Sequence, residues 1–467
     1  MFKSVSFYIA MVAAKATLAI LKIAGRQGGQ LPGVVAEKIC PTFFAQIDKP
    51  ERVFFITGTN GKTTTTNLLD DILEDNNVEF VDNRAGGNIR NGIESALIKN
   101  ATWTGRQKIQ LAVMELDELS SRIVLPYVTP DMILVTNLYR DSFLRNANPD
   151  FIFNTLNSAI SKRTELVLNA DDLISARLGD HVEAKTFFSI AKLDGDVDEP
   201  EGIVCDLNAC PVCGGQFEYD YCHLRHLGHA TCNNCGFTNP APDFLLKSFD
   251  PQTNTFVVAE LNEPGSPEYT YRIISYSITN LYNLFAAIIA ARKIGLSPEQ
   301  IERSLEKGIN VTALRYGEKT CCGKRLVSVA SKGENSTATS CALNTIIGEP
   351  GSKAVVLNLL DAYHNKPGSA HTEFTGWYYQ ADFEYLNDEQ VKQVVVLGEG
   401  TQDLALRLAI AGIDPDKLSF ATTPQESAEM LRLDDVESVF WAFDIFNSDE
   451  TNASRDRLIE ILEGGRQ

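Results

Sequence analysis

A compact glycine-containing loop at residues 57–64 (TGTNGKTT) is the segment of this sequence with the most evident chemistry. It follows a β-branched and aromatic run, Val53–Thr57, and precedes a stretch with helical spacing, which is the context of a phosphate-binding loop. Gly58 and Gly61 let backbone N–H groups approach a phosphate, and Lys62 is placed to reach the β- and γ-phosphates of ATP. The residues predicted to bind ATP are Gly58, Thr59, Asn60, Gly61, Lys62, Thr63 and Thr64.

A magnesium ion beside this loop needs oxygen ligands, and the sequence offers a hydroxyl and a carboxylate. Thr63 follows the loop lysine directly, and Leu111–Glu118 (LAVMELDE) ends an apolar strand in three acids. Acids at the carboxyl end of a neighbouring strand face the ligand crevice of an open α/β sheet. We therefore predict Thr63 and Glu115 as magnesium ligands, with solvated turn acids as the alternative for the second segment.

Four cysteines have the spacing of a metal site. Cys210 and Cys213 form one C-x-x-C pair, Cys232 and Cys235 form another, and 18 residues separate the pairs. Such a pattern predicts a Cys₄ zinc ribbon, and four protein ligands leave no open position, so the zinc is expected to be structural. Substitute ligands from the same segment are the alternative: Cys205, Cys222, His223, His226 and His229.

The composition describes a globular and strongly acidic protein. The chain has 467 residues, enough for two or three domains, and a formal net charge of −19 with a pI near 4.8. The absence of a basic stretch argues against nucleic acid as a partner. The cysteine pairs favour a reducing compartment with a metal site over a disulfide framework.

Apolar runs alternate with helical patterns along the chain, which predicts a mainly parallel α/β sheet. Residues 200–242 interrupt the alternation with cysteines, histidines and glycines, and indicate an inserted module. Tyr276–Lys293 is expected to form an amphipathic helix capped by Ser277 or Thr279. Residues 311–467 return to alternation and predict a second open α/β domain.

Val5–Gly25 is apolar apart from two lysines and a few hydroxyls. Lys15 falls at its middle, where a charge in a spanning helix is costly. We expect a helix packed on the protein or resting on a membrane surface, and membrane insertion is the alternative. The expected location is cytoplasmic, with peripheral contact at the inner face of the membrane.

Several motifs together resemble the Mur ligase family, and the inserted cysteine module is similar to that of its MurT branch. The motifs are TGTNGKTT, ELDE at 115–118, VTNLYRD at 135–141, LNADD at 168–172 and NLYNLFAA at 280–287. The resemblance implies a helical segment at 1–45, a Mur ligase ATPase domain at 46–310 with a zinc ribbon at about 200–242, and a Rossmann-like C-terminal domain at 311–467.

The resemblance also implies an activity. MurT-type chains are ATP-binding subunits of lipid II isoglutaminyl synthases, whose partner is a GatD-like glutamine amidotransferase. ATP phosphorylates the α-carboxyl of D-glutamate in the lipid-linked peptidoglycan precursor, and ammonia from glutamine attacks the acyl phosphate. Lys62 and Glu115 would then be catalytic, Asn280 and Asn283 would contact the nucleotide, and Asn169 and Asp172 would border it.

The last domain departs from the family pattern. An acid thought to complete the partner's catalytic triad aligns with Gln380, and Asp382 or Asp361 is the candidate substitute. An amide cannot stabilise an imidazolium as a carboxylate does. These departures favour a divergent paralogue. Two further readings stay open: a stand-alone Mur- or folylpolyglutamate-like amino-acid ligase, and a non-catalytic nucleotide-binding scaffold of a cell-wall complex.

Overall fold

The computed structural model describes most of the chain as two compact units. Unit 1 holds residues up to 139, 148–201 and 206–310, and unit 2 holds 140–147, 202–205 and 311–467. The described residues are 3–26, 28–84, 87–141, 148–273, 277–307, 316–359, 375–398 and 401–464.

Unit 1 is built on an eight-stranded sheet with the strand order β10-β9-β8-β5-β4-β3-β1-β2. The strands from β8 through β5 to β2 pair in parallel, whereas β8, β9 and β10 pair antiparallel at one edge. The strands β6 and β7 form a separate antiparallel hairpin outside this sheet. The strands of unit 1 are β1 Arg52–Thr57, β2 Leu111–Glu115, β3 Met132–Val135, β4 Glu165–Asn169, β5 Lys185–Ile190, β6 Phe217–Leu224, β7 Leu227–Cys232, β8 Phe244–Asp250, β9 Thr255–Glu260 and β10 Glu268–Arg272.

The helices of unit 1 cover this sheet. They are α1 Val5–Ile23, α2 Leu31–Ile39, α3 Phe43–Gln46, α4 Lys62–Asp75, α5 Arg90–Asn100, α6 Ser121–Val124, α7 Pro149–Ala159, α8 Ile278–Ile294 and α9 Pro298–Glu306. The connection leaving β1 runs to β2 on one side, whereas the connection leaving the adjacent β3 runs to β4 on the other, so the direction changes between β1 and β3. Ligands of open α/β sheets bind at such a switch point, outside the carboxyl ends of the strands.

Helix α1 is packed on unit 1 by one face. Phe7, Ala10, Met11 and Ala14 are fully buried, and the Phe7 ring stacks on Phe43 with centroids 4.9 Å apart. By length and composition, α1 is the one helix among the described residues that could cross a membrane, with a mean hydropathy of 1.6. Its buried face ties it to the hydrophobic core of unit 1.

Unit 2 is a second open α/β fold. Its six-stranded sheet has the order β11-β12-β16-β13-β14-β15, and only β11 and β12 pair antiparallel. The strands are β11 Tyr316–Cys321, β12 Lys324–Ser331, β13 Lys353–Asn358, β14 Val391–Leu397, β15 Leu418–Ala421 and β16 Ser438–Asp444. The helices are α10 Ser336–Gly348, α11 Gln402–Ile410, α12 Pro424–Glu429 and α13 Ser448–Gly464.

The fold class predicted from the sequence is confirmed in both units. One element was misread: α8 begins after the Ser277 cap as expected, but every residue from Leu281 to Ala291 is buried, so the helix is not amphipathic. It lies inside the unit and packs against α4. An apolar helix of this kind is enclosed on all sides. The sequence suggested a polar face instead, because Asn and Tyr are mixed with the aliphatic residues.

Candidate active site

The phosphate loop runs from β1 into α4, and its two glycines are required by close packing. Gly58 has φ +128°, and a Cβ there would lie 2.2 Å from Thr136 Oγ1. Gly61 has φ +85°, and a Cβ there would lie 2.1 Å from Asn283 Oδ1. Both contacts are too short for any side chain, so the tight form of the loop depends on glycine at each position.

The segment that follows β3 holds the loop in place. Asn60 N–H donates to Asn137 Oδ1 at 2.9 Å, and Asn137 Nδ2 donates to the Asn60 carbonyl at 3.0 Å. Thr136 Oγ1 donates to the same carbonyl at 2.7 Å. Within the described part of the chain, the buried Asn60 Nδ2 has no hydrogen-bond partner. A buried donor at the centre of the loop suits an anionic oxygen.

Lys62 is the first residue of α4 and is 6% exposed. Its Nζ lies 2.9 Å from Glu118 Oε1 and also donates to the Gly58 carbonyl. The ammonium group is therefore fixed beside the loop, at the helix terminus where backbone N–H groups already favour an anion.

Glu115 stands at the end of β2, opposite the first turn of α4. Thr63 Oγ1 donates to its Oε2 at 2.9 Å, and Asn88 Nδ2 donates to its Oε1 at 2.7 Å. Asn83 fixes the strand end, because its side chain exchanges two hydrogen bonds of 2.8 Å with the backbone of Glu115. A hydroxyl and a carboxylate thus meet as oxygen donors of the kind that Mg²⁺ binds.

The three acids of the ELDE segment have different roles. Glu115 faces Thr63, and Glu118 pairs with Lys62. Asp117 accepts hydrogen bonds from the N–H groups of Leu119 and Ser120, at 3.1 and 3.0 Å. The turn-acid alternative therefore describes Asp117, whereas Glu115 and Glu118 belong to the loop region.

The three asparagines assigned by resemblance lie at different depths. Asn283 is 5% exposed and lies against Gly61 and Thr65, whose Oγ1 is 3.5 Å from Asn283 Oδ1. Asn280, in the first turn of α8, is partly exposed. Asn169 is fully buried, and its amide joins the Thr136 carbonyl to the N–H of Asp171.

The cysteine tetrad has metal-site geometry. The ligand atoms of Cys210, Cys213, Cys232 and Cys235 all lie within 4.8 Å of one another. The Sγ atoms of Cys210 and Cys235 are 3.7 Å apart, and those of Cys213 and Cys232 are 3.5 Å apart. Four sulfurs at about 2.3 Å from a tetrahedral zinc ion would be separated by roughly 3.8 Å, so the residues fit zinc.

The surroundings of the tetrad stabilise the thiolate of one cysteine, Cys213, whereas the neighbouring thiols raise the pKa of Cys235. Hydrogen bonds from Asn234 Nδ2 and the Gly215 N–H lower the pKa of Cys213 to about 6. The histidines weighed as substitute ligands are bonded elsewhere, since His223 Nδ1 lies 2.9 Å from Asp196 and His229 Nδ1 lies 2.6 Å from Asp220. The group that can hold a metal among the described residues is therefore the predicted set of four cysteines.

The tip of the β6–β7 hairpin touches the chain that supports the phosphate loop. His226 Nε2 lies 3.1 Å from Asp172 Oδ1, and both side chains are fully buried. Asp172 Oδ2 accepts the N–H of Leu138 at 2.7 Å. Leu138 precedes Tyr139, whose backbone exchanges two hydrogen bonds of 3.0 Å with Thr59 Oγ1.

In unit 2, Asp382 is 5% exposed, and its Oδ1 accepts the N–H of Ile203 at 2.6 Å. The stretch before it is a 3-10 helix at Thr375–Gln380, not an extended strand. Gln380 Oε1 lies 3.4 Å from Arg140 Nη1. Asp361, the other candidate for the partner's triad, lies outside the described residues.

Comparison with known proteins places these features in a family. A family model of the Mur ligase middle domain matches residues 56–208, and a model of the MurT ligase C-terminal domain matches residues 333–445. The phosphate loop and the contact between Thr63 and Glu115 lie within the matched Mur ligase middle domain. ATP and Mg²⁺ are the cofactors of the Mur ligase class.

Two curated relatives narrow the class. Subunit MurT of the glutamine-hydrolysing lipid II isoglutaminyl synthase from Staphylococcus aureus (strain COL) is 31% identical over 88% of each chain. The subunit of the same name from Streptococcus pneumoniae (strain ATCC BAA-255 / R6) is 26% identical over 88% of each chain. The chain belongs to the MurT family, and it is an ATP-dependent ligase.

Solved structures agree on the fold. A pseudomurein peptide ligase type C from Methanothermus fervidus has a TM-score of 0.65 at 18% identity, with 91% of this chain and 81% of that chain covered. MurF ligase from Thermotoga maritima, solved with ADP, has a TM-score of 0.58 at 14% identity, with 93% and 85% covered. The resemblance drawn from the sequence motifs is confirmed.

Sequence reasoning missed the residues that position the ligands. Asn83 and Asn88 hold Glu115, and Asn137 holds Asn60, yet none of the three was singled out as a functional residue. The signal of Asn83 and Asn88 is weak, because an asparagine near a glycine usually marks a turn. Asn137 lies two residues after β3 and carries the strongest indication, since polar residues that follow a strand end face the crevice.

Proposed function

We propose that this chain uses ATP to phosphorylate a carboxylate and so prepares it for attack by ammonia. The observation that carries the proposal is the contact between Thr63 and Glu115 beside the glycine loop, on a chain of the MurT family. A carboxylate is a poor electrophile until one of its oxygens becomes part of a phosphate leaving group. Positioning and charge neutralisation supply most of the catalysis of such a transfer.

The reaction has two balanced steps. A carboxylate oxygen attacks the γ-phosphorus of ATP, the bond to the β-phosphate oxygen breaks, and ADP leaves with the bonding electrons. Ammonia then attacks the acyl carbon, loses a proton, and displaces inorganic phosphate that carries the original carboxylate oxygen. Lys62 and the loop N–H groups stabilise the phosphate charge, and the Asn60 amide is the additional donor.

Thr63 and Glu115 are the proposed holders of Mg²⁺, in agreement with their approach of 2.9 Å. When bound, the ion neutralises charge on the β- and γ-phosphate oxygens. The four cysteines are the proposed zinc ligands, and a closed Cys₄ site makes that ion structural. Asn280 and Asn283 are proposed to contact or support the nucleotide, and Asn169 to support the loop from below.

The proposed carboxylate is the α-carboxyl of D-glutamate in lipid II, and the proposed source of ammonia is a GatD-like glutamine amidotransferase. The relatives that support this are named as subunits of a glutamine-hydrolysing lipid II isoglutaminyl synthase. Because that substrate is lipid-linked, we also propose that the chain works in the cytoplasm, at the inner face of the membrane.

The direct test combines the purified chain, lipid II, ATP and an amidotransferase from the same genome. Amidated lipid II and ADP should form in equal amounts with glutamine, and ammonium should replace glutamine and partner together. Amide formation from a free amino acid without the partner would instead identify a stand-alone ligase. ATP binding without any product would identify a scaffold.

Ammonium also tests which acid completes the partner's triad. We propose that Asp361 or Asp382 takes the place that Gln380 cannot fill. The responsible substitution, Asp361→Asn or Asp382→Asn, should abolish amidation with glutamine and leave amidation with ammonium unchanged. Equal loss with both nitrogen sources would show that the aspartate supports the fold of unit 2 instead.

A further inference from the structure

The outer face of α1 is apolar along its whole length. Its exposed positions recur every three or four residues, with two adjacent pairs, and so share one side of the helix. Near its end, Ile20 and Ile23 are 65% and 88% exposed. The apolar residues exposed on α1 are Val5, Tyr8, Ile9, Val12, Ala16, Ala19, Ile20 and Ile23. A continuous stripe of this size on a soluble protein indicates a binding surface.

The loop after α5 extends this surface. Trp103 is 63% exposed, and Lys15 Nζ lies 5.6 Å from the centroid of its ring. Lys15 also donates to the carbonyls of Ile98 and Ala101, at 2.9 and 2.6 Å, so the loop and the helix are joined at the flank of the stripe. An exposed tryptophan beside an apolar helix is typical of proteins that bind at the membrane interface.

Charge is separated in the same region. Residues 1–36 contain four Lys or Arg and no Asp or Glu, and residues 95–114 contain three and none, in a chain of net charge −19. The exposed cations of these segments are Lys22, Arg26, Lys99, Arg106 and Lys108. Their placement beside an apolar stripe complements an anionic lipid surface, where each basic residue adds attraction.

We propose that this face, formed by α1 and the Trp103 loop, binds the surface of an anionic membrane. The inner face of α1 is fixed by Phe7, Met11 and the bonds of Lys15, so the helix lies in the interface and does not cross the bilayer. A second copy of the chain is a poorer occupant, because a symmetric contact would bring like charges together. This proposal rests on the proposed function, because a lipid-linked substrate gives the enzyme a reason to bind a membrane.

The tryptophans of this chain report membrane binding through their fluorescence. It has three tryptophans, and Trp377 and Trp441 are buried, at 2% and 0% exposure. Vesicles containing phosphatidylglycerol should therefore shift the emission of Trp103 to shorter wavelength, and Trp103→Phe should remove the shift. The chain should sediment with these vesicles, much less with phosphatidylcholine alone, and less at high salt.

A matched pair of variants tests the surface. Ile20→Glu should weaken vesicle binding by roughly tenfold or more. Ile410→Glu places the same change on α11, where Ile410 is 62% exposed, and should have no effect. Equal loss in both variants, or no sedimentation of the unchanged chain, would overturn the proposal. Two other results would assign this face to a protein and also overturn the proposal. One is self-association that Ile20→Glu abolishes, and the other is competition between the amidotransferase and vesicles for the chain.

Activity on a short-chain, water-soluble lipid II analogue separates this proposal from the proposed function. Ile20→Glu should amidate the soluble analogue at the normal rate and lose rate only on lipid II in vesicles. If amidation of the analogue is absent in every variant while vesicle binding follows the predicted pattern, the proposed function fails and the membrane face stands.

Discussion

At the scale of single residues, Lys62 and Glu118 are a buried ion pair inside the phosphate loop region. Their side chains are 7% and 3% exposed, so each charge depends on the other and on nearby dipoles. Removal of one partner takes the opposite charge away from the other inside the protein, which lowers the free energy of unfolding. A loss of activity at Lys62 must therefore be separated from a loss of stability.

Lys62→Ala should lower the rate of ATP turnover by about 100-fold or more, because a principal positive charge at the phosphates is removed. The measurement is release of ADP at saturating substrate. The double variant Lys62→Ala/Glu118→Gln neutralises the orphaned acid and should recover thermal stability without recovering turnover. Recovery of turnover in the double variant would show that Lys62 acts only through the fold.

Thr63 and Thr64 are adjacent and form a matched pair. Thr63→Val removes the hydroxyl that bonds Glu115, and it should raise the Mg²⁺ concentration needed for half-maximal ATP turnover roughly tenfold. Thr64→Val, in the same predicted ATP-binding loop, should leave the Mg²⁺ requirement unchanged when ATP is saturating, whatever its effect on ATP affinity. The measurement is ATP turnover as a function of Mg²⁺ concentration. An equal effect of both substitutions would contradict the assignment of Thr63 as a Mg²⁺ ligand.

Glu94 gives the stability of unit 1 a pH dependence. It is fully buried in α5, where burial and then Glu37 raise its pKa to about 7, against the partial effect of Arg90 at 3.4 Å. Because the folded chain holds this proton more tightly than the unfolded chain, the free energy of unfolding falls as pH rises from about 4.5 to 7. Glutamine does not ionise, so the free energy of unfolding of Glu94→Gln should lack this decrease.

Urea unfolding at pH 5 and pH 8 measures the effect. The advantage of Glu94→Gln over the unchanged chain should increase by about 2 kcal/mol between the two pH values. Glu302→Gln, an exposed position on α9, is the control and should show the same difference from the unchanged chain at both. An advantage independent of pH would mean that Glu94 does not titrate in this range.

At the scale of elements, the hairpin of the cysteine module supports the phosphate loop indirectly. Contacts lead from His226 to Asp172, from Asp172 to Leu138, and through Tyr139 to Thr59. Loss of metal should loosen the hairpin and weaken this support. A structural ion would then affect nucleotide affinity without touching the nucleotide.

Cys232→Ser should release zinc and weaken nucleotide binding roughly fivefold or more, measured by calorimetry with ADP. Cys205→Ser, outside the tetrad, should do neither. His226→Leu keeps all four cysteines and should weaken ADP binding while zinc is retained. Unchanged ADP affinity in Cys232→Ser, with zinc lost, would show that the hairpin and the loop are independent.

Sequence reasoning predicted the features whose signal is local. The order of β1, loop and α4 follows from apolar runs and two glycines, and the metal tetrad follows from cysteine spacing. Asn83, Asn137 and His226 could not be predicted in their roles, because each acts on a residue brought near only by the folded sheet. The antiparallel strands β8–β10 were also missed, since alternation alone does not give strand direction.

At the scale of the whole molecule, length and composition predict an acidic globular chain of two or three domains, and the alternation of apolar runs predicts the α/β class. Two α/β units are observed. The net charge is a sum over the whole chain, so it does not show where cations are concentrated. The segments of α1 and the Trp103 loop carry only cations, whereas the net charge of the chain is −19. These segments are far apart in the sequence, and the packing of α1 on α5 brings them together into one surface. The sequence alone therefore does not show that surface.

The proposed chemistry requires an oxygen atom to pass from the carboxylate to phosphate. The decisive measurement uses lipid II with a heavy oxygen isotope in the D-glutamate α-carboxyl, ATP, and ammonium or the glutamine-hydrolysing partner, with mass analysis of the inorganic phosphate. We expect one labelled oxygen in each phosphate for every amide formed, and about 100-fold less labelled phosphate from Lys62→Ala in the same time. Unlabelled phosphate accompanied by amide formation would contradict activation of the carboxylate as an acyl phosphate.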